Sequence, residues 1–257
     1  LHLEAEDALN NEQVNSHSQQ RLKVLVPVLP RISNHTDFDP LRQHPQVDFS
    51  FVSISDTPPP ADLVILPGTK STRGDLAFFR AQGWNIDLAA HVRRGGRVLG
   101  LCGGYQMLGR RIVDAEGLEG TPGETEGLGL LDIVTEMVPE KRLTRVRASH
   151  VPTGAGFSGY EIHIGRSDGP DRARPFAMVD GRPEGAISGD GRIMGSYLHG
   201  LFAEDGFRAA FLQGLGGVAS GLSHGAAVEA ALDDLAAHLE AHMDVDGLLE
   251  MARPVPG

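Results

Sequence analysis

The sequence predicts an α/β fold: a mostly parallel sheet flanked by helices, with additional β-strands in the second half. Three observations lead there. Short Val- and Leu-rich runs alternate with helix-like stretches over roughly the first 110 residues, the pattern of a parallel sheet covered on both faces. The single cysteine, Cys102, stands where one such run meets the start of a helix, framed by Gly100, Gly103 and Gly104. Beyond residue 130 the apolar runs are separated by glycine-rich turns, so they either extend the sheet or form an antiparallel layer beside it.

The elements follow in order. Residues 22–29 form an apolar strand closed by Pro30, 47–54 are rich in β-formers, and 63–66 read Leu-Val-Ile-Leu before Pro67-Gly68. Helices are expected over 73–82 and 86–94, the second stopped by Gly95-Gly96. The strand 97–101 then feeds Cys102 and the first turns of a helix over 102–109. Further strands are expected at 130–137, 142–149, 159–164, 176–179 and 186–188, and at 193–198 ending on His199-Gly200. Residues 207–215 read as a helix, and 226–243 have helical composition. The chain opens without methionine on a polar stretch, so 1–20 read as an inter-domain linker, 21–217 as the folded unit and 218–257 as a partly helical tail.

Bulk composition narrows the function classes. A net charge of −11 argues against nonspecific nucleic-acid binding, which needs basic surface. No run of about 18 apolar residues and no secretion signal is present, so no membrane partner is expected. One cysteine cannot form an internal disulfide, which suits a reducing cytoplasm.

Strand, sharp turn with a nucleophile, then helix is the geometry of a nucleophile elbow. A thiol at a helix N-terminus meets unpaired backbone N–H groups that favour the thiolate. It needs a base. Most of the eleven histidines have a plain reading: His35 and His44 lie in polar or loop contexts, and His91 and His224 read as surface residues. His238 and His242, spaced i, i+4, read as a solvated helix face with no third ligand, so no metal is expected. His199 differs, because a strand-end histidine lies on the same rim of the sheet as Cys102. Oxyanion donors are expected from the backbone N–H of Gly103 and from Gly68 in the strand-end loop 66–70. Together these offer acyl transfer through a thioester.

At this point the residues resemble a known family. Gly100-Leu101-Cys102-Gly103-Gly104-Tyr105-Gln106 matches the G-x-C-x-G-x-Q pattern of class I glutamine amidotransferases, which have a flavodoxin-like fold. The segments 66–70, 197–202, 159–165 and above all 29–41 resemble those of the cobyric acid synthase branch. The resemblance implies a glutaminase with Cys102 as nucleophile, His199 as base, and Gly68, Gly103 and Gln106 in oxyanion or substrate binding. It implies glutamine as substrate and ammonia passed to an N-terminal ATP-dependent synthetase domain that amidates adenosylcobyrinic acid a,c-diamide in cobalamin biosynthesis. ATP and Mg belong to that domain, and no cofactor to this one. No G-x-x-x-x-G-K-[ST] loop occurs here, so the isolated chain is expected to be weakly active or inactive and not to bind ATP.

Many members place a glutamate two residues after the base. Here the sequence is His199-Gly200-Leu201, which implies a Cys–His pair. Glu204 could orient the imidazole instead, though a helix-cap role suits it better. Glu161 and His163 share one face of an alternating strand, Tyr160 and Ile162 the other, with the role of the polar face open. Rival readings are the related lipid II amidating glutaminase, a stand-alone cysteine hydrolase, and a non-catalytic binding module on the same fold.

Overall fold

The computed structural model describes residues 21–54, 56–217, 221 and 223–252. The proposed linker 1–20 lies outside the described residues. The central sheet has six strands in the order Ala186–Ile187, Ile193–Ser196, Arg97–Leu101, Leu63–Leu66, Leu22–Pro27, Val47–Val52. Five run parallel, and Ala186–Ile187 joins antiparallel at one edge. Leu63–Leu66 is buried at every residue, as a strand covered on both faces must be, and this explains its unbroken apolar run. Two hydrophobic clusters sandwich the sheet: Ile65, Leu99 and Phe202 belong to one, Leu66, Val98 and Trp84 to the other.

Helices α1 (Asp39–Arg42), α2 (Thr72–Ala81), α3 (Trp84–Arg93), α4 (Gly103–Leu108) and α5 (Asp205–Gly214) pack around this core. Helices α6 (His224–His242) and α7 (Val245–Met251) follow; His224 is the one buried residue of the pair. No described helix is long and apolar enough to cross a membrane.

The second half takes both courses open to it. Two of its strands extend the central sheet. Five others form an antiparallel sheet in the order Arg182–Glu184, Ala177–Val179, Arg142–His150, Gly156–His163, Leu198–His199. A third sheet of four short strands includes Arg111–Asp114 and Gly123–Glu126, neither expected from the sequence.

Two expectations need correction, and one segment shows structure that no expectation covered. The strand expected over 130–137 shrinks to Val134–Glu136, because the N–H groups of Leu130 and Leu131 turn back to the Leu108 carbonyl at the end of α4. The segment after Pro30 is structured: Ile32–Ser33 pairs with Gly68–Thr69, and His35–Phe38 forms a 3-10 turn leading into α1. Finally, His35, His44, His91 and His224 are all buried. The His91 ring reaches the Arg97 carbonyl at 2.8 Å, so it closes the α3-to-strand turn instead of facing solvent.

Candidate active site

The strand Arg97–Leu101 delivers Cys102 to the carboxyl rim of the parallel sheet. Its backbone is held at φ 51°, ψ −110°, a region that costs a non-glycine residue about 1–3 kcal/mol. The surroundings over-determine that conformation. The Cys102 N–H donates to the Ser196 carbonyl at 2.8 Å, and its own carbonyl accepts from Gln106 N–H at 3.1 Å. Gly104 sits so close to the neighbouring strand that a Cβ there would fall 2.1 Å from the Leu66 carbonyl oxygen. The outcome is a buried thiol, 8% exposed, that donates to the Ile162 carbonyl at 3.4 Å.

His199 arrives by a different route. The strand Ile193–Ser196 is the direct neighbour of the Cys102 strand. After Tyr197 the chain crosses to the antiparallel sheet, where His199 pairs with Tyr160. The imidazole is fully buried, and Cys102 is among the groups that raise its pKa.

The structure also supplies what the local sequence lacks. Asp37, from the 3-10 turn His35–Phe38, accepts from His199 Nδ1 at 2.6 Å and from the Gly200 N–H at 2.8 Å. The carboxylate thus grips ring and backbone together, and Nδ1 as donor leaves Nε2 for the thiol. The Cys–His pair implied by His199-Gly200-Leu201 therefore gains a third member 162 residues away. Glu204 occupies the N-cap position of α5, is exposed, and makes no side-chain cap bond. Two further groups confine the imidazole: the Tyr160 ring lies 5.3 Å away at 21°, and Asn34 Nδ2 is 3.2 Å from Nε2 and 3.3 Å from Nδ1. An atom equidistant from both ring nitrogens sits over the ring, not at the end of one N–H vector.

Burial of His199 works against its charged form. The Asp37 carboxylate and Cys102 outweigh that burial, and the pKa rises to about 10. The charged imidazolium is thus favoured at neutral pH.

Gly68 and Gly103 come together around Thr69. A Cβ on Gly103 would meet Thr69 Cγ2 at 2.5 Å, and one on Gly68 would meet His199 Cε1 at 3.2 Å. Gly103 opens α4, so its N–H has no acceptor within the helix. Gln106 lies one turn further in and is 2% exposed. Its carboxamide accepts from Thr72 Oγ1 at 2.8 Å and donates to the Ile164 carbonyl at 2.8 Å, joining α2, α4 and the second half of the chain. Along Gly156–His163, Tyr160 stacks on His199, the Ile162 carbonyl accepts from Cys102, and Glu161 and His163 line a cavity beyond them. His238 and His242 stack on each other, and the His242 Nδ1 takes the His238 carbonyl, as on an exposed helix face. Among the described residues no cluster of three or more His, Cys, Asp or Glu side chains could hold a metal ion.

Asp37, Asn34 and Tyr160 escaped the sequence reading as site residues. The signal that could have found Asp37 was the segment 29–41 itself, whose family resemblance was visible while its position in space was not.

With this geometry established, comparison with known proteins becomes specific. Residues 23–207 match the CobB/CobQ-like glutamine amidotransferase domain. The chain is 62% identical over 252 residues to a cobyric acid synthase of Cereibacter sphaeroides, covering 98% of this chain and 52% of the relative. It is 66% identical over 226 residues to a cobyric acid synthase of Rhodobacter capsulatus, covering 88% and 47% respectively. The chain thus spans about half the length of the curated relatives it matches. Among solved structures, PurLQS from Thermotoga maritima superposes with a TM-score of 0.54 at 19% identity, over 82% of this chain and 99% of that one. A structure described as a glutamine amidotransferase gives 0.54 at 18% identity, over 75% and 98%. Both share the fold, a mostly parallel sheet with flanking helices. The chain belongs to the family of CobB/CobQ-like glutamine amidotransferase domains.

Proposed function

We propose that this chain is the glutaminase unit of a cobyric acid synthase, and that Cys102, His199 and Asp37 carry the reaction. The observation that carries this reading is the Asp37 clamp on His199, which occupies Nδ1 and leaves Nε2 to serve the strained Cys102. The Cys102 thiolate attacks the side-chain amide carbon of glutamine. The resulting oxyanion is stabilised by the backbone N–H groups of Gly103 and Gly68. His199 donates its Nε2 proton to the leaving nitrogen, ammonia departs, and a glutamyl thioester remains on Cys102. His199 then takes a proton from water as it attacks the thioester, releasing glutamate and restoring the thiolate–imidazolium pair. Asp37 keeps the ring oriented and stabilises the imidazolium, as the acid of a triad does. Gln106 shapes the substrate pocket by holding Thr72 and the Ile164 carbonyl in place.

The ammonia would pass to an ATP-dependent synthetase region of the same polypeptide and amidate adenosylcobyrinic acid a,c-diamide in cobalamin biosynthesis. Its relatives' names and their twofold greater length support that assignment. By itself the chain would hydrolyse glutamine weakly.

A glutamine-analogue electrophile tests the reading. It should modify Cys102 stoichiometrically, detected by peptide mass, and leave Cys102→Ser unmodified. No modification, even in the full-length protein supplied with ATP and corrinoid acceptor, would sink the glutaminase assignment.

A further inference from the structure

On the far face of the strand Gly156–His163 from Cys102 lies a cavity of about 180 Å³ that the chemistry above does not use. His163 separates the two sides: its ring stacks on Tyr197 with centroids 3.8 Å apart. Burial lowers the His163 pKa to about 4, so this wall is uncharged at neutral pH.

Tyr105 reaches the cavity from α4. Its side chain is 1% exposed, yet its hydroxyl has no hydrogen-bond partner. Burial holds its pKa well above the usual phenol value, so it remains an O–H donor. A buried donor left unmatched is rare and calls for an acceptor.

The charges around the cavity indicate which acceptor. Two carboxylates lie in its wall, one in an ion pair and one held by neutral donors. Glu161 pairs with Arg142, and Glu184 accepts from Ser196 Oγ at 2.8 Å and the Tyr197 N–H at 2.6 Å. Three arginines remain. Arg172 donates to the carbonyls of Ser167 and Pro183, which orient its guanidinium without neutralising it. Arg166 and Arg182 stand exposed at the mouth and form no ion pair among the described residues. In a chain of net charge −11, a mouth with two unpaired guanidinium groups, beside Arg172 facing the Glu184 carboxylate, is a local positive field over a polar hollow.

We infer that this cavity binds the oxyanion group of a small molecule, a carboxylate or a phosphate. Tyr105 donates to one oxygen from the floor, and Arg166, Arg172 and Arg182 balance the charge from the rim. Guanidinium forks suit planar or tetrahedral oxyanions, and the lone hydroxyl fixes how deep the group sits.

Calorimetric titration with sodium succinate and with inorganic phosphate, at ionic strength held constant with potassium chloride, tests this. Saturable binding of either anion above the chloride control is expected. Succinate alone would assign a carboxylate site, phosphate alone a phosphate site, and both a shared oxyanion site. Tyr105→Phe should weaken binding about five- to tenfold, the loss of one charge-assisted hydrogen bond. The surface double variant Arg166→Ala/Arg182→Ala, which does not disturb the core, should weaken it by more. No saturable binding of either anion, or undiminished binding in the double arginine variant, would overturn the inference. The readout is equilibrium binding, so it stands or falls separately from the chemistry proposed for Cys102.

Discussion

Cys102 and His199 interact electrostatically, yet they are held by opposite means. Backbone positions Cys102: its N–H is tied to the Ser196 carbonyl, its carbonyl to Gln106, and Gly104 permits contact with the Leu66 carbonyl. Side chains position His199: the carboxylate of Asp37 and the carboxamide of Asn34 from one segment, and the ring of Tyr160 from a distant strand. A backbone-defined corner needs a run of small residues at fixed spacing and is therefore a local motif. A cage of side chains needs only that distant residues arrive together, and it leaves no local trace. Cys102 is thus held by what is absent around it, His199 by what is present.

Breaking the cage should affect chemistry far more than folding. Asp37→Asn preserves shape but removes the charge, and glutamine turnover should fall by about two to four orders of magnitude. The pH dependence gives a second readout. His199 has a raised pKa, so its ion pair with Asp37 contributes full stability below the free-histidine value of 6.5 and loses it as pH rises through about 10. The alkaline limb of activity should lie near that value and move toward neutrality in Asp37→Asn. An unchanged limb would mean that another group sets the histidine's charge.

Breaking the corner should cost folding as well as chemistry. Gly104→Ala forces a methyl group against the Leu66 carbonyl, and an overpacked core of this kind loses about 1–3 kcal/mol or more. Urea denaturation with the Cys102-labelling rate measured alongside separates the two effects. Lost labelling at full stability would show that the corner is a local catalytic device with no weight in the fold.

The smallest effect sharpens the contrast by its absence. Glu204→Gln should leave turnover within about twofold and stability within about 0.5 kcal/mol, as expected of an exposed side chain without partners. A large loss of turnover would return Glu204 to the role that Asp37 fills in the structure.

The same contrast governs what was legible beforehand. Strands such as 63–66 and 97–101 were visible because burial on both faces demands continuous apolar residues. The short strands Arg111–Asp114 and Gly123–Glu126 were not, because exposed charged residues such as Arg111 and Glu124 carry no apolar period. His91 read as a surface residue, since nothing in its helix reveals that the ring folds onto the Arg97 carbonyl. Gln106 was recognised by its motif, while its partners Thr72 and Ile164 come from elements 34 and 58 residues away.

The sequence by itself determined the parallel sheet, the strained cysteine corner and the histidine on the same rim. Each rests on short-range spacing: apolar runs, glycines around a nucleophile, a histidine at a strand end. Only the tertiary structure decided which carboxylate orients His199, that Tyr160 and Asn34 confine its ring, and that Tyr105 lies at a polar hollow with its hydroxyl unmatched. Those outcomes depend on pairings across as many as 165 residues, and chain distance of that order erases from sequence the geometry that a 2.6 Å hydrogen bond makes plain.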